Sequence, residues 1–187
     1  MLGDVQPVDI TPEQFERQVH DWLKASADGL KSFSVIHSHI LEGDSGEYEI
    51  DVMAEFEVFA GALIKVLVEC KRYKNPVKRD VIMVLESKIR DTGAHKGMVF
   101  STSGFQKGAI QFAQKRGIAT VTVQHGYTNY FTRAEGSRVV TPPPWLQLSE
   151  YIGWFMTVTE EGNRSFSLID DDRNDPLIEW CTTYIRA

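Results

Sequence analysis

Glu47-Tyr48-Glu49-Ile50-Asp51-Val52-Met53-Ala54-Glu55-Phe56-Glu57-Val58 is the stretch on which the fold turns. Its even positions are apolar, and every odd position but Met53 is acidic. A period of two over twelve residues predicts a long strand with one face on a core and the other turned outward. A second strand is predicted from Leu63 to Lys71, nearly all apolar until it ends in Glu69-Cys70-Lys71. Glu69 and Lys71 are two apart and project to one side, while Cys70 projects to the other. Paired across the hairpin, Asp51, Glu69 and Lys71 share a polar face. Two carboxylates suit a divalent ion, and a lysine beside them orients or deprotonates a water.

Around this hairpin the chain reads as alternating elements. Thr11-Pro12-Glu13-Gln14 opens a helix with Thr11 as N-cap and Gln14 in the capping-box position. Phe15, Val19, Trp22 and Leu23 then repeat at helical spacing, with Gly29 as the expected stop. Phe33 to Leu41 is predicted as a strand, and Glu42 to Gly46 as the turn into the long hairpin. After Lys71, Asn75-Pro76 is expected to start a helix whose apolar face is Val77, Val81, Val84, Leu85 and Ile89, closed by Gly93. Lys96 to Ser101 reads as a short buried strand. Phe105 to Arg116 reads as a helix capped by Ser103, with Ala109, Phe112 and Ala113 inward, and Ile118 to Val123 as the next strand. Helices alternating with apolar strands imply βαβ crossovers and parallel pairing. Beyond a polar, aromatic stretch and the stiff Thr141-Pro142-Pro143-Pro144, a hairpin (Tyr151 to Val158, Ser165 to Ile169) and a closing helix (Pro176 to Ile185) are predicted.

Bulk properties bound the function. The 187 residues suffice for one domain with an appendage, and 25% charged with 42% hydrophobic residues is an ordinary globular balance. No apolar run approaches the roughly 20 residues of a membrane span. Met1 to Ile10 lacks the basic and apolar regions of a signal peptide, so the cytoplasm is the expected location. Two cysteines, Cys70 and Cys181, give neither a disulfide framework nor a zinc knuckle. The net charge of −6 runs against polyanion binding, yet a local basic stretch can sit on an acidic body.

Gly43-Asp44-Ser45-Gly46 through Ile50-Asp51-Val52, then Val68-Glu69-Cys70-Lys71-Arg72-Tyr73, resembles the catalytic core of Mrr-type restriction endonucleases, of the PD-(D/E)XK nuclease superfamily. Ala94 to Val99, Ser103-Gly104-Phe105 and Ala109 to Ala113 are similar to that family's later strand and helix, and Thr11 to Glu16 to its opening helix. The resemblance spans about residues 11 to 123. It implies an α/β fold with a restriction-endonuclease-like mixed sheet flanked by helices, and hydrolysis of DNA phosphodiesters. It implies Asp51, Glu69 and the Cys70 carbonyl as ligands of Mg²⁺ or Mn²⁺, Lys71 as the residue that handles the water, and Glu16 as a carboxylate pointing to the same cluster. The chain accordingly divides into a catalytic core, 1–123, and a C-terminal extension of hairpin plus helix, 124–187, that matches nothing in the family. The separate DNA-reading domain of some family members is not expected here.

Other features carry competing readings. Arg72, Tyr73 and Lys74 with Lys78 and Arg79 form the strongest basic cluster, either a solvated loop or a phosphate track with Tyr73 as a stacking surface. Glu47, Glu49, Glu55 and Glu57 read as solvated charge, and His37 and His39 as half-buried histidines rather than metal ligands. Gln111 is a candidate to reach the site. Ser101 to Gly104 reads as helix capping before phosphate cradling, and Asp170-Asp171-Asp172 as a turn before a Ca²⁺ site. Trp145, Leu146, Leu148, Tyr151, Ile152, Trp154 and Phe155 are either a homodimer interface or core. The expected activity is Mg²⁺-dependent endonuclease. The alternative is a nuclease-derived binding or assembly module that acts through protein partners. A vacant carboxylate pair beside a basic groove favours the first, and a closed, ion-paired cluster the second.

Overall fold

The structure, a computed structural model, describes residues 8–27, 30, 32–58, 61–126, 149–158 and 163–183. Gly29, the Thr141–Pro144 spacer, Trp145, Leu146 and Leu148 lie outside these residues. Helix α1 (Pro12–Ala25) precedes strands β1 (Ser34–Gly43), β2 (Gly46–Val58) and β3 (Ala62–Lys71). Then come α2 (Arg79–Asp91), β4 (Lys96–Ser101), α3 (Lys107–Lys115), β5 (Ile118–His125), β6 (Tyr151–Val158), β7 (Arg164–Ile169) and α4 (Asp175–Thr183). The seven strands form one mixed sheet in sequence order, β1-β2-β3-β4-β5-β6-β7. Pairing is parallel across β3–β4 and β4–β5, where α2 and α3 supply the crossovers, and antiparallel elsewhere. The fold is therefore α/β.

Both faces of the sheet are covered. Against one face, α1 presents Phe15, Val19, Trp22 and Leu23, joined by Leu177, Trp180 and Cys181 of α4. Against the other, α2 and α3 present Ile82, Leu85, Ala109 and Ala113. The capping box of α1 forms as its sequence predicts: Gln14 N donates to Thr11 Oγ1 and Thr11 N to Gln14 Oε1. The hairpin β6–β7 extends the sheet from β5, with Val121 opposite Phe155. Ile152 and Phe155 are buried in the chain's own core, whereas Tyr151 and Trp154 are half-buried.

Three local expectations are corrected. The helix after Pro76 starts at Arg79, and the residue facing the sheet is Ile82, whereas Val84 is 56% exposed. Ser103 does not cap α3: Gln106 takes that position, and the Ser103 hydroxyl donates to the Asn75 carbonyl. The period of two in β2 is interrupted. Val52, Ala54 and Phe56 pack on the α1 face, but Tyr48 and Ile50 pack on the α2 face. The change of side falls at Asp51, opposite Ser38, whose backbone takes the left-handed conformation (φ 51°) uncommon outside glycine.

Candidate active site

Asp51 stands where the β2–β3 ladder stops. The last paired residues are Val52 and Val68, so Asp51 and Glu69 occupy the next position, where the strands part. A side chain takes over there from the ladder: the Cys70 backbone N–H donates to Asp51 Oδ2 at 2.6 Å. β3 remains paired on its other side, Glu69 with Val99 and Lys71 with Ser101 of β4, which holds Glu69 and Lys71 in place.

Lys71 Nζ donates to Glu69 Oε2 at 2.5 Å and to Asp51 Oδ2 at 3.5 Å. One ammonium thus touches both carboxylates, which therefore converge on a single cation position. Lys88 of α2 reaches the same group from the far side, donating to Glu69 Oε1 at 2.5 Å and to the Glu49 carbonyl at 2.9 Å. Gly97 of β4 leaves room for the side chains of α2: a Cβ there would sit 2.5 Å from Ile89 Cδ1 and require that side chain to shift. Glu69 is nearly buried, and a buried carboxylate with a cation on each oxygen meets the condition for burying charge.

The electrostatics follow from burial and neighbours. Burial raises the Asp51 pKa above the ordinary carboxylate value, with Glu69 adding to the shift, and the Cys70 N–H and Lys71 offset only part of it. Burial acts to lower the Lys71 pKa, but Glu69 and Asp51 outweigh it and hold the ammonium protonated. Burial also drives the Cys70 thiol well above its usual range, with the Asp51 and Glu16 charges adding to the rise. That thiol is no nucleophile. Cys70 contributes backbone.

Glu16, expected to point to this cluster, pairs with a histidine of β1. Its carboxylate is 2.9 Å from His37 Nε2, and its charge is felt at Cys70. His37 is accordingly a half-buried histidine with an acidic partner. Among the described residues no group of three His, Cys, Asp or Glu side chains converges as a metal cage. The oxygen donors that converge here are the two carboxylates of Asp51 and Glu69, which fit an oxygen-preferring ion that keeps most of its waters.

Arg72, Tyr73, Lys74 and Lys78 are exposed and continue directly from Lys71. Arg79 is exposed too, with its guanidinium 4.8 Å over the Phe112 ring. This basic loop is anchored from behind. Thr102 N donates to the Lys71 carbonyl, Ser103 Oγ to the Asn75 carbonyl, and Val77 exchanges backbone bonds with Gly104 and Gln106. The Ser101 to Gly104 segment thus has its polar groups committed to the loop. Gln111 is exposed on α3. Asp170 to Asp172 form a turn in which Asp170 accepts from Arg173 and Asp171 accepts from Trp22 Nε1. Glu47 and Glu49 are exposed, and Glu55 pairs with Lys65.

Sequence reasoning missed Lys88, although a signal existed. Lys88 continues the expected α2 face at helical spacing, four residues after Val84 and seven after Val81. A charge on a face predicted to be buried calls for a buried partner.

No curated protein matches the chain. Among solved structures it is similar to a protein of unknown function, AF1548, at 23% identity over 54% of this chain and 56% of that one, with a TM-score of 0.41. It is also similar to the DNA modification-dependent restriction endonuclease AspBHI, at 18% identity over 58% of this chain and 32% of that one, with a TM-score of 0.35. This chain therefore spans about half and a third, respectively, of the structures it matches. Among the described residues no helix is long and apolar enough to cross a membrane. A family match covers residues 8–126, from before α1 to the end of β5, and includes the Asp51–Glu69–Lys71 cluster and the anchored basic loop: the chain belongs to the Mrr catalytic-domain family of restriction endonucleases.

Proposed function

We propose that this protein is a metal-dependent endonuclease that hydrolyses DNA phosphodiester bonds in the cytoplasm, in restriction, defence or DNA processing. The observation that carries the reading is the single ammonium of Lys71 bridging Asp51 and Glu69, with exposed Arg72 and Lys74 next in the chain. Asp51, Glu69 and the Cys70 carbonyl would hold Mg²⁺ or Mn²⁺. When bound, that ion supplies a Lewis acid against the charge developing on the phosphoryl oxygens. Lys71, kept protonated by its two acidic neighbours, donates to the attacking water and the phosphate and orients both. The water oxygen forms the new P–O bond as one ester P–O bond breaks; the water gives up a proton to solvent, and the departing ester oxygen takes one from solvent to leave as a hydroxyl. Arg72, Lys74 and Lys78 track the backbone, with Tyr73 and Arg79 at the margin of that path. Cutting both strands needs two such sites, and a C₂ homodimer is the commonest way to supply them. Light scattering at micromolar concentration, with and without duplex, tests that part.

A second reading rests on one specific observation. Glu69 is ion-paired on both oxygens, the closed arrangement expected of a nuclease-derived module that binds protein partners without cutting. Incubation with plasmid, methylated and single-stranded DNA, with and without Mg²⁺ or Mn²⁺, separates the two. Metal-dependent nicking or linearisation supports the endonuclease. Intact substrate under every condition leaves the binding module.

A further inference from the structure

The double hold on Glu69 distinguishes its two lysines. Lys71 ends a strand, and its ammonium spans Glu69 and Asp51, the position the proposed cation would take. Lys88 is fixed at both ends. Its carbonyl accepts the Thr92 N–H and hydroxyl at the C-cap of α2, and its ammonium donates to the Glu49 carbonyl, a backbone group of β2 that cannot swing away. Its side chain is 17% exposed. Two carboxylates and two ammoniums make the cluster neutral, so a divalent ion entering beside Asp51 meets a fixed positive charge one carboxylate away.

Resting on the endonuclease reading, we propose that Lys88 is a positioning residue that sets the metal requirement of this site. By occupying Glu69 Oε1, it leaves Oε2 as the oxygen that faces Asp51, and it fixes the plane of the carboxylate. By its charge, it opposes the divalent ion. The ion therefore binds weakly until other negative charge, such as the phosphates of bound DNA, offsets Lys88 and Lys71. Metal and DNA then bind with positive coupling, and coupling of this kind is reciprocal.

The test uses the full chain, Mn²⁺ and a short DNA duplex. Calorimetry should show Lys88→Met binding Mn²⁺ about tenfold tighter than wild type, since one unit charge near a divalent ion is removed. Mn²⁺ should raise its Tm more than that of wild type, and prior addition of duplex should improve its Mn²⁺ affinity less. Turnover at saturating Mn²⁺ should fall, because Glu69 loses its orientation. Lys88→Arg, which keeps the charge and the donors, should behave as wild type and shows that the site tolerates a substitution. A merely structural lysine would give weaker Mn²⁺ binding in Lys88→Met. That result, or equal affinity in the two proteins, overturns the role of Lys88 while leaving the endonuclease reading standing. Mn²⁺ binding by Lys88→Met alone supports the role strongly. No Mn²⁺ binding by either protein, with or without duplex, overturns both.

Discussion

Two lysines withdrawn from water stand at opposite ends of neighbouring strands. Lys71 closes β3 and Lys96 opens β4, and the parallel register separates them by five residues, about 16 Å along the sheet. At Lys71 the neighbours are two carboxylates, and the ammonium is held protonated despite burial. At Lys96, donation to the Trp180 carbonyl at 2.8 Å and contact with the Trp180 ring at 4.7 Å fasten α4 to the sheet, and burial lowers its pKa. Burial alone pushes both lysines the same way, so the partner decides the sign. One end of the sheet sets its lysine between two carboxylates, and the other uses its lysine as a fastener.

The sharpest way to break this contrast is to truncate both. Lys71→Ala should lower single-turnover DNA cleavage by about 10²- to 10⁴-fold while anisotropy shows little loss of DNA affinity, because one phosphate contact among several disappears. Lys96→Ala should leave the rate per folded molecule unchanged. Equal losses in the two variants would erase the distinction between the ends.

Asp51→Asn comes next. Mn²⁺ binding by calorimetry should weaken at least about tenfold, because a hard anionic ligand becomes neutral at nearly constant shape. The fold should survive and gain slightly in stability at neutral pH. The sign follows from the raised pKa of Asp51: the native state prefers the neutral acid, so the wild type loses stability as pH rises past 3.8, and Asn avoids that cost. Denaturation curves that show Asp51→Asn less stable at pH 7 than at pH 4, relative to wild type, would contradict the desolvated site.

Lys96→Ala should cost about 2–3 kcal/mol, as a long packed side chain leaves and the Trp180 carbonyl loses a donor. The wild type should also gain stability relative to this variant as pH climbs towards 10.5. The lowered pKa means that the penalty on the buried ammonium disappears as the native state gives up its proton first. A flat difference between pH 8 and pH 10.5 would remove desolvation as the cause.

The smallest effect concerns the loop beside the site. Replacing Arg72 and Lys74 together with Ala should reduce the slope of log affinity against log salt by roughly one unit for each lost phosphate contact. An unchanged slope would confine DNA contact to Lys71 itself.

What the sequence disclosed divides along physical lines. Strand β4 was legible to the residue and α1 to its cap, because local patterns determine them: an apolar run between breakers and a capping box. Asp51, Glu69 and Lys71 were legible as neighbours because the hairpin register follows from turn length and alternation. Non-local partners were hidden. The break in β2 at Asp51 coincides with the left-handed Ser38 backbone in another strand. Lys88 of α2 reaches Glu69 of β3 across 19 residues of sequence, a contact that no local pattern announces. The hold of His37 on Glu16 joins β1 to α1, and no short-range rule connects them.

Strand order identical to sequence order has a consequence for how the chain reaches this structure. Every ladder joins successive strands, so the entropy of loop closure is met in small steps and sheet growth can proceed from one neighbour to the next. The β1–β2 hairpin has the shortest closure, Gly43 with Gly46, and the β2–β3 hairpin, which carries both carboxylates, the next, Val58 with Ala62. The longest stretch of chain between successive strands runs from His125 to Tyr151, ahead of β6. A nascent chain that has assembled β1 to β5 already holds the whole charged cluster, and the last hairpin arrives as a separate, slower event on the edge of β5.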